Sequence, residues 1–163
     1  MKIKGLQDEV FSDYKKPSMY IAFPSCSFKC DIENGCALCQ NAALAHAPEI
    51  EISFNDLLDR YRSNQITTAI VCGGLEPFDS DEELLILVRA ARDYYKIKDD
   101  IVIYTGYTEE ELQDNYYHQR IIEYGNIIIK YGRFRPNEEP HLDPVLGVSL
   151  ASDNQYAKET YRI

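Results

Sequence analysis

Four of the chain's five cysteines, Cys26, Cys30, Cys36 and Cys39, lie in the single segment PSCSFKCDIENGCALCQN. Thiolates gathered this closely suit a soft or borderline metal, which would constrain the fold of the loop that carries them. Iron–sulfur and zinc are the two metals such a set takes. The Cys26-x3-Cys30 spacing is looser than the C-x2-C of structural zinc sites and favours a cluster. Counted as spacing alone, zinc and free redox thiols stay open. Some thirty residues later an apolar strand ends in VCGGLEPF. That second motif has the residue types needed to hold a small zwitterionic ligand beside the metal.

A chain of 163 residues suits one domain, 1–163, with a sizeable core, and is too short for a complete eight-fold barrel. The opening MKIKGLQDEV lacks the apolar run of a secretory signal, and no apolar segment approaches the length of a membrane span. The expectation is a cytoplasmic protein with no membrane contact, where clustered cysteines serve as metal ligands or redox thiols rather than disulfides. A net charge of −10 argues against nucleic acid as a partner, since phosphates would repel it. The short basic clusters Lys15, Lys16 and Arg133, Arg135 read as solvated surface.

Strands and helices alternate along the chain. Ser18 to Phe23 (SMYIAF) reads as a buried strand entering the cysteine loop, and QNAALA after Cys39 as the start of a short helix. Ser53 suits the N-cap of FNDLLDRYRS, and Ile66 to Cys72 has the β-branched content of a strand. Ser80 reads as the N-cap of an acidic first turn, Asp81 to Glu83, whose helix carries Leu84, Leu85, Leu87, Val88 and Ala91 on its apolar face. Ile101 to Tyr104 and Ile127 to Ile129 are further strands, and Thr108 with Glu111 makes a capping box between them. The segment GRFRPNEEPHLDPV reads as a long, largely irregular excursion. Repeated βα units predict an α/β fold with a mainly parallel sheet, which binds ligands at the carboxyl ends of its strands. Cys26, Gly73, Gly74, Thr105 and Gly106 fall there.

Gly73 and Gly74 allow close backbone approach, and the Glu76 carboxylate and nearby carbonyls could accept from an ammonium group. A tight strand-to-helix turn explains the same residues. Cys72, closing an apolar strand, reads as a core thiol.

From about Pro17 to Tyr156 the chain resembles the radical S-adenosylmethionine superfamily, and more narrowly the activating enzymes of anaerobic ribonucleotide reductase. Its C-x3-C-x2-C motif is matched at Cys26 and Cys30, and the polar-Asn sequence after the third cysteine at Cys39-Gln40-Asn41. Gly73-Gly74-Leu75-Glu76-Pro77 is similar to the family's Gly-Gly-Glu-Pro with one residue inserted. Tyr104 to Thr108, Gly132-Arg133-Phe134 and Ser152-Asp153-Asn154-Gln155 are similar to activase features in the same order. Eight residues separate Cys30 from Cys39 where the family has two, and Cys36 lies inside that insertion. Cys39, Cys36 or all four cysteines could be ligands, and the sequence after Cys39 favours Cys39. Leu38 stands where an aromatic often precedes the last cysteine.

The resemblance implies a short, incomplete radical-SAM-type (β/α) barrel holding a [4Fe–4S] cluster on Cys26, Cys30 and Cys39. One iron stays open for the amino and carboxylate groups of S-adenosylmethionine. Gly73, Gly74 and Glu76 would hold the ammonium, the backbone from Leu38 to Gln40 would meet the adenine, and Thr105 and Gly106 would wall the pocket. A reduced cluster, fed by a low-potential electron donor, would cleave the sulfonium to a 5′-deoxyadenosyl radical. That radical would take a hydrogen atom from a glycine of anaerobic ribonucleotide reductase or another glycyl radical enzyme. A radical enzyme acting on a small molecule, such as those making deazapurine precursors, is the other enzymatic reading. A zinc or four-cysteine iron–sulfur module is the non-enzymatic one.

Overall fold

A computed structural model describes residues 1–160; the last three residues of the domain expected over 1–163 lie outside the described residues. The strands are β1 (Lys2–Ile3), β2 (Gly5–Val10), β3 (Ser18–Phe23), β4 (Ile50–Glu51), β5 (Ala69–Gly74), β6 (Asp100–Tyr104), β7 (Ile127–Tyr131), β8 (His141–Asp143), β9 (Val148–Leu150) and β10 (Tyr156–Thr160). The helices are α1 (Lys29–Asn34), α2 (Ala42–Ala45), α3 (Phe54–Ser63), α4 (Asp81–Arg89), α5 (Glu109–Leu112) and α6 (Tyr116–Ile122).

Six strands form the main sheet in the order β10-β7-β6-β5-β3-β2. The four in the middle are parallel, and β2 and β10 flank them antiparallel. Because β3, β5, β6 and β7 are neighbours in chain order, crossovers of one hand stack their helices on one face. Side-chain alternation sorts the two faces accordingly. Met19, Ile21 and Phe23 of β3, Ile70 and Cys72 of β5, Ile101 and Ile103 of β6, and Ile127 and Ile129 of β7 pack against Leu57 and Leu58 of α3 and Leu84 and Leu87 of α4. Ala69, Val71, Val102 and Ile128 point to the opposite face, where Tyr14, Leu146 and Leu150 cover them. The architecture is thus α/β with a mostly parallel central sheet, as the alternation predicts.

Local chemistry sets the helix starts. Ser53 Oγ accepts from the Asp56 N–H at 3.0 Å to begin α3. At α5 the capping box forms, with Glu111 N–H donating to Thr108 Oγ1 at 3.1 Å and Thr108 N–H to Glu111 Oε2 at 2.9 Å. The expectation at Ser80 needs correction. A 3-10 turn, Pro77–Ser80, leads into α4, and Ser80 makes no side-chain cap; Glu76 caps that turn instead. The expected strand at Ile66 starts three residues later and runs on through Gly74. The segment read as irregular folds in part into the β8–β9 hairpin, which covers the sheet face away from the helices.

Candidate metal centre

At the carboxyl ends of the parallel strands lies a cavity of about 370 Å³. Cys26, Cys30 and Cys39 line it together, alongside Gln40, Gly74, Glu76, Thr105, Gly106 and Lys130. Cys36 does not: it is exposed, and its Sγ–H points to the Asn34 carbonyl at 3.6 Å. Gly73 and Leu38 lie outside the lining. Gly73 instead backs onto Tyr20, whose hydroxyl would stand 2.9 Å from an added Cβ. Cys72 is fully buried in the core, as its strand position predicts.

The cysteine loop is tied to the sheet at several points. The Glu76 N–H donates to the Ser25 carbonyl at 2.8 Å, and the Ser27 N–H to Asp79 Oδ2 at 2.6 Å. Farther on, Asn41 Nδ2 donates to the Gly74 carbonyl at 2.7 Å, which joins the end of the cysteine segment to the Gly-Gly turn. Gly74 has φ +81°, and a Cβ there would stand 2.8 Å from Ala22, so the turn requires glycine. Burial raises the Cys26 thiol to about 11, with Glu76, Asp79 and Cys39 adding to the effect and the Phe28 N–H opposing it. Burial also raises Cys30; Cys39 adds to that, while Arg133 and Lys130 work against it. A cationic metal supplies the compensation such thiolates need.

The donor set fits a cluster. Three sulfurs face one cavity, and the bare Cα of Gly106 leaves room beside it, since a Cβ would stand 3.9 Å from Cys30 Sγ and 3.5 Å from Glu76 Oε2. Among the described residues, no three His, Cys, Asp or Glu side chains converge on a single-ion point.

Glu76 is 7% exposed, yet its carboxylate takes three hydrogen bonds. Oε1 accepts from the Phe78 N–H at 3.0 Å and Thr105 Oγ1–H at 2.7 Å, and Oε2 from the Gly106 N–H at 2.8 Å. A carboxylate has about four acceptor positions, so Oε2, which takes one of these bonds, keeps one more. Burial outweighs these donors and raises the carboxyl to about 7. Thr105 and Gly106 therefore line the cavity and fix Glu76 at the same time.

Lys130 escaped the sequence reading. It lies on β7 among isoleucines, also 7% exposed, and faces the cavity with Nζ donating to the Gly132 carbonyl at 2.7 Å. Burial lowers it to about 8, against the pull of Glu76 and Cys30. The signal was present: a single lysine inside IIIKY has no solvated face to occupy. Arg133 also corrects an expectation. It is not solvated surface but buried, with a two-pronged pair to Glu111 at 2.6 and 2.8 Å.

The two late motifs form one knot. Gln155 Nε2 donates to the Gly132 carbonyl at 3.3 Å, and Asn154 Nδ2 to the Arg133 carbonyl at 2.8 Å. Gly132, at φ +100°, has no room for a Cβ, which would stand 2.7 Å from the Asn154 carbonyl. Ser152 to Gln155 thus hold the Gly132–Phe134 turn against the cavity.

Three thiols around a cavity at the strand ends of a parallel sheet define a metal–thiolate protein. A family model described as a 4Fe-4S single cluster domain matches residues 18–155, a span that takes in every residue of the centre. The chain belongs to that family, and of the two metals left open by the cysteine spacing, the [4Fe–4S] cluster is the one the family holds. No curated protein and no solved structure matches the chain. Among the described residues, no helix is long and apolar enough to cross a membrane.

Proposed function

We propose that the protein is a cytoplasmic radical S-adenosylmethionine enzyme that generates a glycyl radical on anaerobic ribonucleotide reductase or another glycyl radical enzyme. The observation that carries this reading is that one cavity holds three cysteine thiols and a buried acid–base pair, Glu76 and Lys130. Three protein sulfurs on four irons leave one iron open, which distinguishes a substrate-binding cluster from an electron carrier. Glu76 and Lys130 have the charges that complement an α-amino-acid zwitterion, the methionine end of S-adenosylmethionine. The sheet is accordingly read as an incomplete (β/α) barrel, open where a partner's loop would enter.

A cluster held by Cys26, Cys30 and Cys39 and reduced by a low-potential donor would supply the electron for reductive cleavage of S-adenosylmethionine to methionine and a 5′-deoxyadenosyl radical. The chain's own residues do the binding and orienting. The free acceptor position on Glu76 Oε2 takes the ligand's ammonium, with Thr105 and Gly106 keeping the carboxylate in place. Lys130 Nζ, which uses one of three donors on Gly132, faces the ligand's carboxylate. Gly74 brings the backbone close to the ligand, and Gln40, beside Cys39, borders the nucleoside end.

A second reading, a radical enzyme acting on a small molecule, draws on the β8–β9 hairpin. Its Ser149 and Leu150 line the cavity and narrow it from the sheet's inner face. The test mixes the reduced, cluster-loaded protein with S-adenosylmethionine and the reductase from the same source, under anaerobic conditions. The expected result is a glycyl doublet by electron paramagnetic resonance that disappears when the partner's glycine is replaced. Formation of 5′-deoxyadenosine without any partner radical would move the assignment to the small-molecule reading.

A further inference from the structure

The insertion between Cys30 and Cys39 poses a physical problem. A loop of eight residues can present either Cys36 or Cys39 to the centre, yet only Cys39 lines the cavity. The helix α1 uses up the first part of the insertion and ends at Gly35 in the left-handed region, φ +67°. Beyond it the chain must turn back. Asp31, half-buried on α1, makes that turn: its Oδ1 accepts from the Leu38 N–H at 2.8 Å and from the Cys39 N–H at 2.9 Å. The second of these bonds holds the Cys39 backbone itself and the first holds the residue before it. Cys36 has no such tie, and its thiol rests on the Asn34 carbonyl at the surface.

We infer that Asp31 is a positioning residue that selects Cys39 over Cys36 as the third thiolate of the centre. One carboxylate oxygen gathers two adjacent N–H groups, so the Cys39 Cα is fixed relative to α1, and α1 carries Cys30. Loss of the acceptor frees the loop and lets Cys36 compete for the same iron. The inference rests on the cluster reading for its consequence, but the loop clamp itself does not depend on a metal.

Two measurements separate the parts. In the metal-free full chain, amide hydrogen exchange of the peptide spanning Leu38 and Cys39 should quicken about tenfold or more in Asp31→Ala, the scale of a lost hydrogen bond to a charged acceptor. Exchange in β5 and β6 should stay unchanged, which shows that the fold is intact. Asp31→Asn keeps an acceptor oxygen but loses the charge, and should exchange at a rate between wild type and Asp31→Ala. After anaerobic reconstitution, Asp31→Ala should hold less than about half the wild-type iron and sulfide. Adding Cys36→Ser to it should remove most of what remains, whereas Cys36→Ser alone should keep the full cluster. Unchanged Leu38–Cys39 exchange in Asp31→Ala would overturn the clamp, as would an Asp31→Asn variant as loose as Asp31→Ala. Full iron in the double variant would overturn the selection. A wild-type chain that takes up no cluster defeats the cofactor reading, while the exchange comparison still decides the clamp.

Discussion

Replacing Glu76 by glutamine removes a buried charge while nearly preserving shape. In the folded protein burial raises this carboxyl from its ordinary 4.5 to about 7. The folded state therefore holds a proton that the unfolded chain has already lost between those two pH values. Stability must fall as pH rises through that window, and it is fully present below about 4.5. At about 1.4 kcal/mol per pH unit the loss amounts to roughly 3 kcal/mol by pH 7 to 8. Glutamine cannot titrate. It keeps an oxygen for the Phe78 N–H and Thr105 Oγ1–H, but its amide must meet the Gly106 N–H, donor against donor, at a constant cost of about 1–3 kcal/mol. His118, which burial holds below 6.5, titrates in part of the same window with the opposite sign, so the difference between the two proteins is the quantity to follow. Urea denaturation of the metal-free full-length wild type and Glu76→Gln at half-unit steps from pH 4.5 to 8 provides it. The variant's deficit should shrink by about 3 kcal/mol across the series and can change sign at the alkaline end. Two curves separated by a constant offset would refute the buried-charge argument.

Two further outcomes follow from the centre. Cys26→Ser, Cys30→Ser and Cys39→Ser should each abolish a stable cluster, while Cys36→Ser and the core variant Cys72→Ser retain one; iron and sulfide analysis after anaerobic reconstitution decides this. Binding of S-adenosylmethionine should rise as pH passes about 7 and Glu76 ionises, then decline above about 8 as Lys130 loses its proton. Lys130→Met should remove the alkaline limb and weaken binding at pH 7.5 by ten-fold or more, from a charge-assisted hydrogen bond worth about 1.5–3 kcal/mol. Calorimetric titration across pH checks this, and a wild-type profile lacking either limb would contradict it.

Much of this structure was legible in the residues, and the failures have physical causes. Isoleucine-rich β6 and β7 and the Thr108–Glu111 box declare themselves because local propensity and tertiary packing agree there. The edge strand β2, GLQDEV, did not, since a half-solvated edge carries polar residues that resemble a loop. The β8–β9 hairpin was hidden by the Pro and charge around it, although Leu146 and Leu150 anchor it to the inner core face. In the site, the thiols, the Gly-Gly turn and Glu76 were visible as motifs. Lys130 was legible only as a lone cation in the apolar run IIIKY, and Arg133 was not legible at all, because its burial depends on the pairing with Glu111 of α5. Asp31 was equally silent: its partners are backbone N–H groups seven and eight residues away, which no side-chain pattern reveals.

The most direct test of the three-cysteine centre is the electron paramagnetic resonance spectrum of the reduced, cluster-loaded protein recorded with and without S-adenosylmethionine. An open iron beside the Glu76–Lys130 cavity predicts a [4Fe–4S] signal whose g-values shift when the ligand is added, in Cys36→Ser as in wild type. A spectrum that S-adenosylmethionine leaves unchanged, with Cys36 required for the cluster, would mean four protein sulfurs on four irons and an electron carrier instead.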